Sequence, residues 1–102
     1  MKVYISGKIT GLEINTARQY FDTVEEKLKA KGLNPVNPMA LIPYNPDWKW
    51  EDYMAEDMRL LLVCDAIFML ENWQDSKGAR IEHAAAKESG LQVFYAKTHD
   101  FF

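Results

Sequence analysis

The feature that most restricts this chain is an alternation of strand-length apolar runs with helix-length amphipathic stretches, beginning almost at the first residue. Runs at 3–6, 33–36, 66–70 and 92–95 are each too short for a helix and read as buried strands. Between them lie periods of helical spacing. Ala17, Tyr20, Phe21, Val24 and Leu28 recur on one face of a helix that Asn15 and Thr16 open, with Thr16 and Gln19 spaced as a capping box. Gly32 closes it after lysines that suit its C-terminal dipole. A second helix is predicted over 50–63, with Trp50, Met54, Met58, Leu61 and Leu62 on its buried stripe. A third starts near Gly78 and stops at Gly90. Strands separated by helices require a parallel sheet, because parallel neighbours need a crossover. The expectation is an α/β, flavodoxin-like three-layer domain with four parallel strands in the order 2-1-3-4 and helices on both faces.

That order places the topological switch between the first and third strands, where ligands collect at the strands' carboxyl ends. Two loops meet there. The first, Ser6-Gly7-Lys8-Ile9-Thr10-Gly11, offers backbone N–H groups at its glycines and side-chain donors at Ser6, Lys8 and Thr10. It is either a cradle for a phosphate or sugar, or a plain strand-to-helix turn; the P-loop spacing is absent. The second loop ends Asp75-Ser76-Lys77-Gly78, with Ser76 as N-cap. Glu82 follows within two helical turns, where the dipole favours an ionised carboxylate suited to a nucleophile or base. The alternative is a surface glutamate paired with Arg80 or Lys77. Asp57 falls on or beside the apolar face of the second helix, where an unpaired carboxylate is costly. It either joins Glu82 in a carboxylate pair or forms an ion pair with Arg59 or Arg80.

The remaining residues narrow the class. A net charge of −3 argues against a nucleic-acid polymer as partner but not against a single nucleotide. Cys64 stands alone and no Cys/His cluster has metal-ligand spacing, so neither a disulfide framework nor a metal is expected. No run approaches the roughly 18 apolar residues of a membrane span, and the apolar start is too short for a signal peptide. The expectation is one cytoplasmic domain over 1–102, without a membrane partner and without a cofactor. Residues 37–49, with Pro38, Pro43 and Pro46, read as an irregular functional loop. Trp48, Trp50, Tyr53 and Trp73 are core by composition, although Trp48 and Trp73 are candidates to stack on a base. His83, about a quarter-turn from Glu82, reads as a packing or surface residue, and His99 lies in the tail with Phe101 and Phe102. The aromatic content of so small a sheet predicts a homo-oligomer.

Three of these motifs together resemble the nucleoside 2-deoxyribosyltransferase superfamily, nearest its 2′-deoxynucleoside 5′-monophosphate N-glycosidase branch. They are Tyr4-Ile-Ser-Gly-Lys-Ile-Thr-Gly11, Asp57 with Asp65 eight residues on, and Ser76-x-Gly78-x-x-x-Glu82 followed by alanines and Gly90. The resemblance implies a flavodoxin-like fold and chemistry at the N-glycosidic bond of (deoxy)nucleoside 5′-monophosphates. Glu82 would attack C1′, Asp57 would orient it or hand a proton to the departing base, and Tyr4 would support Glu82. Ser6, Gly7, Lys8, Thr10, Gly11, Ser76 and Gly78 would bind substrate and phosphate. The chain departs from the pattern where Lys8 and Thr10 replace a serine and an arginine, in a longer tryptophan-rich insert, and in lacking a fifth strand. It looks most like a small phage or bacterial offshoot, and a non-catalytic nucleotide-binding or sequestering module is the alternative.

Overall fold

A computed structural model describes residues 1–97; His99, Phe101 and Phe102 lie outside the described residues. The strands are β1 (Lys2–Ser6), β2 (Asn34–Val36), β3 (Ala66–Met69) and β4 (Gln92–Tyr95). They form one parallel sheet in the order β2-β1-β3-β4. The helices are α1 (Ile14–Ala30), α2 (Pro38–Leu41), α3 (Trp50–Leu61) and α4 (Lys77–Glu88), with a 3₁₀ turn at Trp73–Asp75. This is the flavodoxin-like order expected from the sequence.

Both faces of the sheet are covered, and the two-residue period of β1 sorts its side chains between them. Val3 and Ile5 join Phe68 and Leu70 beneath Phe21, Val24 and Leu28 of α1. Tyr4 packs in the opposite layer with Ile67 and Met69, against Leu61 of α3 and Ala79 and Ala86 of α4. Every residue of β3 is buried, as expected of a strand covered on both sides. Pro35 is tolerated because β2 is an edge strand.

The helix ends show which local rules won. Helix α1 is capped by Glu13, whose carboxylate accepts from the N–H groups of Asn15 and Thr16 at 3.0 and 2.8 Å. This displaces the expected Thr16–Gln19 box and starts the helix earlier, at Ile14. Gly32 and Gly90, at φ +80° and +78°, end α1 and α4. At each, the following residue's N–H reaches back across the turn, Leu33 to the Leu28 carbonyl and Leu91 to that of Ala86. Helix α3 ends at Leu61, before the expected 63, and Leu62 and Val63 are left exposed. The insert is less irregular than its prolines suggest. Asn37 caps α2 by accepting from Met39 N–H at 3.0 Å, and Pro38 sits at a helix start where its missing N–H costs nothing. Asn37 also donates to Asp22 at 3.0 Å, tying the insert to α1. Among the described residues no helix is long and apolar enough to cross a membrane.

Candidate active site

Strand geometry and helix geometry together place one carboxylate under two hydroxyls. Tyr4 and Ser6 are two residues apart on β1 and therefore project to the same face. On α4, Ala79, Glu82 and Ala86 form the buried stripe, three and four residues apart. The small alanines let the helix approach the sheet, so Glu82 lands on the two hydroxyls. Tyr4 Oη donates to Glu82 Oε2 at 2.7 Å, and Ser6 Oγ donates to Oε1 at 2.6 Å. Glu82 is only 4% exposed. It is not the surface glutamate that would pair with Arg80, whose guanidinium instead donates to the Gln74 carbonyl at 2.7 Å.

Asp57 comes from α3 and lies close enough to Glu82 and Tyr4 for its charge to act on both. Arg59 pairs with Glu56 at 3.8 Å, not with Asp57. Burial pushes Glu82 up to about 8, and the neighbouring Asp57 charge adds to the rise, while the Ser6 and Tyr4 hydroxyls oppose it. Burial likewise pushes Asp57 up to about 6, against the hydrogen bonds of Glu82 and Tyr4. Burial raises the Tyr4 phenol well above its ordinary value, with Glu82 as the next cause, so it stays a donor. The expected ionised carboxylate at the start of α4 is thus overruled by its surroundings. Desolvation outweighs the helix dipole, and burial raises both carboxyl groups above the ordinary carboxylate range.

These groups form one side of a cavity of about 300 Å³ at the switch point, a volume at the lower end of small-molecule sites. Tyr4, Gly7, Thr10, Asp57, Ser76, Gly78 and Glu82 line it. The two loops do face each other: Lys8 N–H donates to Asn72 Oδ1 at 3.0 Å across the gap. Ser76 caps α4 as expected, accepting from Ala79 N–H at 3.1 Å. Gly78 allows α4 to close on α3, since a Cβ there would meet Met54 Sδ at 3.1 Å.

Other expected site residues are placed differently. Ser6 is committed to Glu82. Gly7 lines the cavity and also serves packing, because a Cβ would lie 2.6 Å from Leu70 Cδ1. Lys8 and Gly11 are not in the lining; the Lys8 stem runs alongside Gly11, which turns the loop at φ +90°. Nor do Trp48 and Trp73 line the cavity. Trp48 meets Tyr53 edge-on, centroids 5.1 Å apart. Trp73 stacks on His83 at 4.3 Å, and His83 shares a 2.7 Å hydrogen bond with Tyr95. The rings at the cavity, besides Tyr4, are Phe21, Tyr44, Trp50 and Tyr53. Sequence reasoning missed Tyr44 and Arg18 entirely. For Arg18 the signal was its spacing, four residues after Ile14 and three before Phe21, which puts all three on one stripe of α1. Among the described residues no group of three His, Cys, Asp or Glu side chains is placed to hold a metal ion.

The fold and cavity define an α/β domain carrying a buried carboxylate pair at the switch point of a parallel sheet. The chain belongs to the family described as Domain of unknown function (DUF4406), whose model matches residues 1–95. No curated protein matches it in sequence. Among solved structures it is similar to a 2-deoxyribosyltransferase from Bacillus psychrosaccharolyticus, with TM-score 0.72 and 18% identity over 93% of this chain and 71% of that one. A 2-deoxyribosyltransferase from Leishmania mexicana gives TM-score 0.69 and 18% identity over 92% of this chain and 62% of that one. This chain therefore spans less than two thirds of the Leishmania protein. A conserved protein from Enterococcus faecalis V583 gives TM-score 0.71 and 18% identity over 98% and 70% of the two chains. At that identity the likeness establishes the shared fold.

Proposed function

We propose that this protein acts at the N-glycosidic bond of (deoxy)nucleoside 5′-monophosphates, by hydrolysis or transfer, with Glu82 as nucleophile. The observation that carries the reading is Glu82 itself, buried beside a cavity, fixed by Tyr4 and Ser6, and neighboured by the carboxyl group of Asp57. The likeness of fold to two 2-deoxyribosyltransferases supports it.

The chemistry follows from the pair. Glu82 Oε attacks C1′ while the bond from C1′ to the base nitrogen breaks, its electrons leaving with the base. Asp57 supplies the proton that the departing base takes up. The resulting glycosyl ester is released when water or a second base attacks C1′ and Glu82 leaves as carboxylate. Burial favours the proton on Glu82, whereas attack needs it on Asp57. Positive charge developing at C1′ stabilises the ionised Glu82 and shifts the proton toward Asp57. The working state is the singly protonated pair, so the rate profile is bell-shaped, with limbs near the values of about 6 and about 8.

The test is to incubate the protein with a panel of nucleoside and deoxynucleoside 5′-monophosphates and detect free base by chromatography. Binding without base release at any pH from about 6 to 8 overturns the enzyme reading and leaves a nucleotide-binding module. We also propose a homo-oligomer, since Leu62 and Val63 are 53% and 64% exposed at the end of α3. A monomeric mass by light scattering at micromolar concentration overturns that.

A further inference from the structure

The loop after β1 is fixed at both ends and lightly held between them. At its root, Leu70 N–H donates to the Ser6 carbonyl at 2.8 Å, and Gly7 packs closely on Leu70. At its far end Glu13 caps α1. In between, the chain turns on itself, Leu12 N–H donating to the Ile9 carbonyl at 3.1 Å, and Ile9 leans on the core beneath α1. Among the described residues one hydrogen bond joins residues 8–11 to another element, the 3.0 Å bond from Lys8 N–H to Asn72 Oδ1.

The accepting side is stiff. Asn72 lies in a turn closed by the N–H groups of Trp73, Asp75 and Ser76, which donate to the carbonyls of Leu70, Asn72 and Trp73 at 3.1, 3.2 and 3.1 Å. Trp73 braces that turn by stacking on His83 of α4, which is hydrogen-bonded to Tyr95 of β4. Only an oxygen can accept from a backbone N–H, so the side-chain amide of Asn72 has one orientation that satisfies Lys8. Asn72 does not line the cavity itself, whereas Gly7, Ile9 and Thr10 of the loop it holds do.

We propose that Asn72 is a positioning residue: through the Lys8 N–H it sets how closely Ile9 and Thr10 stand over the cavity, and so how tightly the cavity holds its ligand. The ligand rests on the nucleotide reading above; the hold on the loop does not. A rigid acceptor that fixes a lightly held loop removes ordering that ligand binding would otherwise have to supply. Ser6 is outside its control, because the sheet and Glu82 hold that residue. Asn72 therefore acts on binding and leaves the reacting groups in place.

The experiment compares the wild type, Asn72→Ala and Asn72→Asp, the last of which keeps an acceptor oxygen at the same distance from the backbone. The ligands are a deoxynucleoside 5′-monophosphate and the matching nucleoside. The nucleoside is the measure for Asn72→Asp, because the added charge repels a phosphate. Losing one neutral hydrogen bond raises KM for both ligands about five- to tenfold in Asn72→Ala, with kcat within about twofold. Asn72→Asp returns KM for the nucleoside to within about twofold of wild type. An unchanged KM in Asn72→Ala, a loss in kcat instead of KM, or an Asn72→Asp that behaves like Asn72→Ala overturns the proposal. If the wild type releases no base, Kd by calorimetry replaces KM under the same criteria. If it binds neither ligand, the nucleotide reading fails and amide hydrogen exchange at Lys8 judges the hold on the loop. Exchange at least about tenfold faster in Asn72→Ala than in the other two proteins upholds it, and equal exchange in all three overturns it.

Discussion

Two of the cavity's walls are built on different principles. One is regular: Tyr4 and Ser6 on a strand and Asp57 and Glu82 on two helices, joined by hydrogen bonds of 2.6 and 2.7 Å at Glu82. Among the described residues it leaves no buried side-chain nitrogen or oxygen without a partner. The other wall is the insert between β2 and α3, with Met39, Ile42 and Tyr44 facing the cavity. It is apolar, has only one turn of helix, and leaves Tyr44 80% exposed. The difference separates two tasks. A group that must hold a proton at a set position belongs on rigid elements, and a surface that chooses among ligands can sit on a loop.

The sharpest way to break this comparison is to disable the regular wall without disturbing its packing. Glu82→Gln keeps the side chain's shape and can still accept from one hydroxyl, but it cannot attack C1′. Base release falls by about a thousandfold or more, the scale of losing a covalent nucleophile, while nucleotide binding by calorimetry persists. Turnover within about tenfold of wild type removes Glu82 from the nucleophile's role.

Stability against pH tests the same wall independently of activity. Glu82 sits near 4.5 when unfolded and is raised to about 8 in the fold; Asp57 moves from 3.8 to about 6. Between those values the folded chain holds protons that the unfolded chain has released. Stability from this source is therefore full below the unfolded values, declines as pH rises through the window, and levels off above about 8. Wild-type Tm measured from pH 5 to pH 8 drops by roughly 10 °C more than that of Glu82→Gln. Parallel curves for the two proteins contradict a buried, proton-sharing pair.

How far each wall was legible in the sequence follows from the same difference. The regular wall depends on periods of two and of three to four, which a single sequence displays. Tyr4 with Ser6, and Ala79 with Glu82 and Ala86, are recognisable as faces from their spacing alone. The protonation of Glu82 could not be read that way, because desolvation depends on β1 and α3, which are distant in sequence. The insert carries no period. Its prolines suggested irregular chain, yet Asn37 caps a helical turn there and reaches Asp22 of α1. The tryptophans Trp48 and Trp73 were equally deceptive. A tryptophan near a functional loop is as well satisfied by a ring behind the site, as Trp48 is by Tyr53 and Trp73 by His83.

That exchange of aromatic roles gives the next, smaller effect. Trp50 lines the cavity, with Lys77 Nζ 4.5 Å from its ring centre, whereas Trp73 does not line it. Trp50→Ala raises KM for the nucleotide by about tenfold, the scale of one base-stacking contact. Trp73→Ala lowers thermal stability by about 2–4 kcal/mol, as for a truncated packed ring, and leaves KM within about twofold. Steady-state kinetics beside a thermal melt distinguishes them, and the reverse pattern would return the stacking role to Trp73.

The smallest effect probes what holds the insert in place. Tyr53 Oη both accepts from Asn45 N–H at 2.8 Å and donates to the Asn45 carbonyl at 2.9 Å. A single hydroxyl therefore closes both backbone groups of one insert residue onto α3. Tyr53→Phe keeps the ring in the cavity wall and its edge-on contact with Trp48 but leaves those two groups to water. Because Asn45 is only half-buried, solvent compensates in part, and the loss is about 1 kcal/mol. The wall that carries Glu82 and Asp57 is untouched, so kcat holds while KM rises about two- to fivefold as the roof loosens. If kcat falls instead, by as much as KM rises, the insert positions the reacting groups as well as the ligand, and the division of labour between the two walls fails.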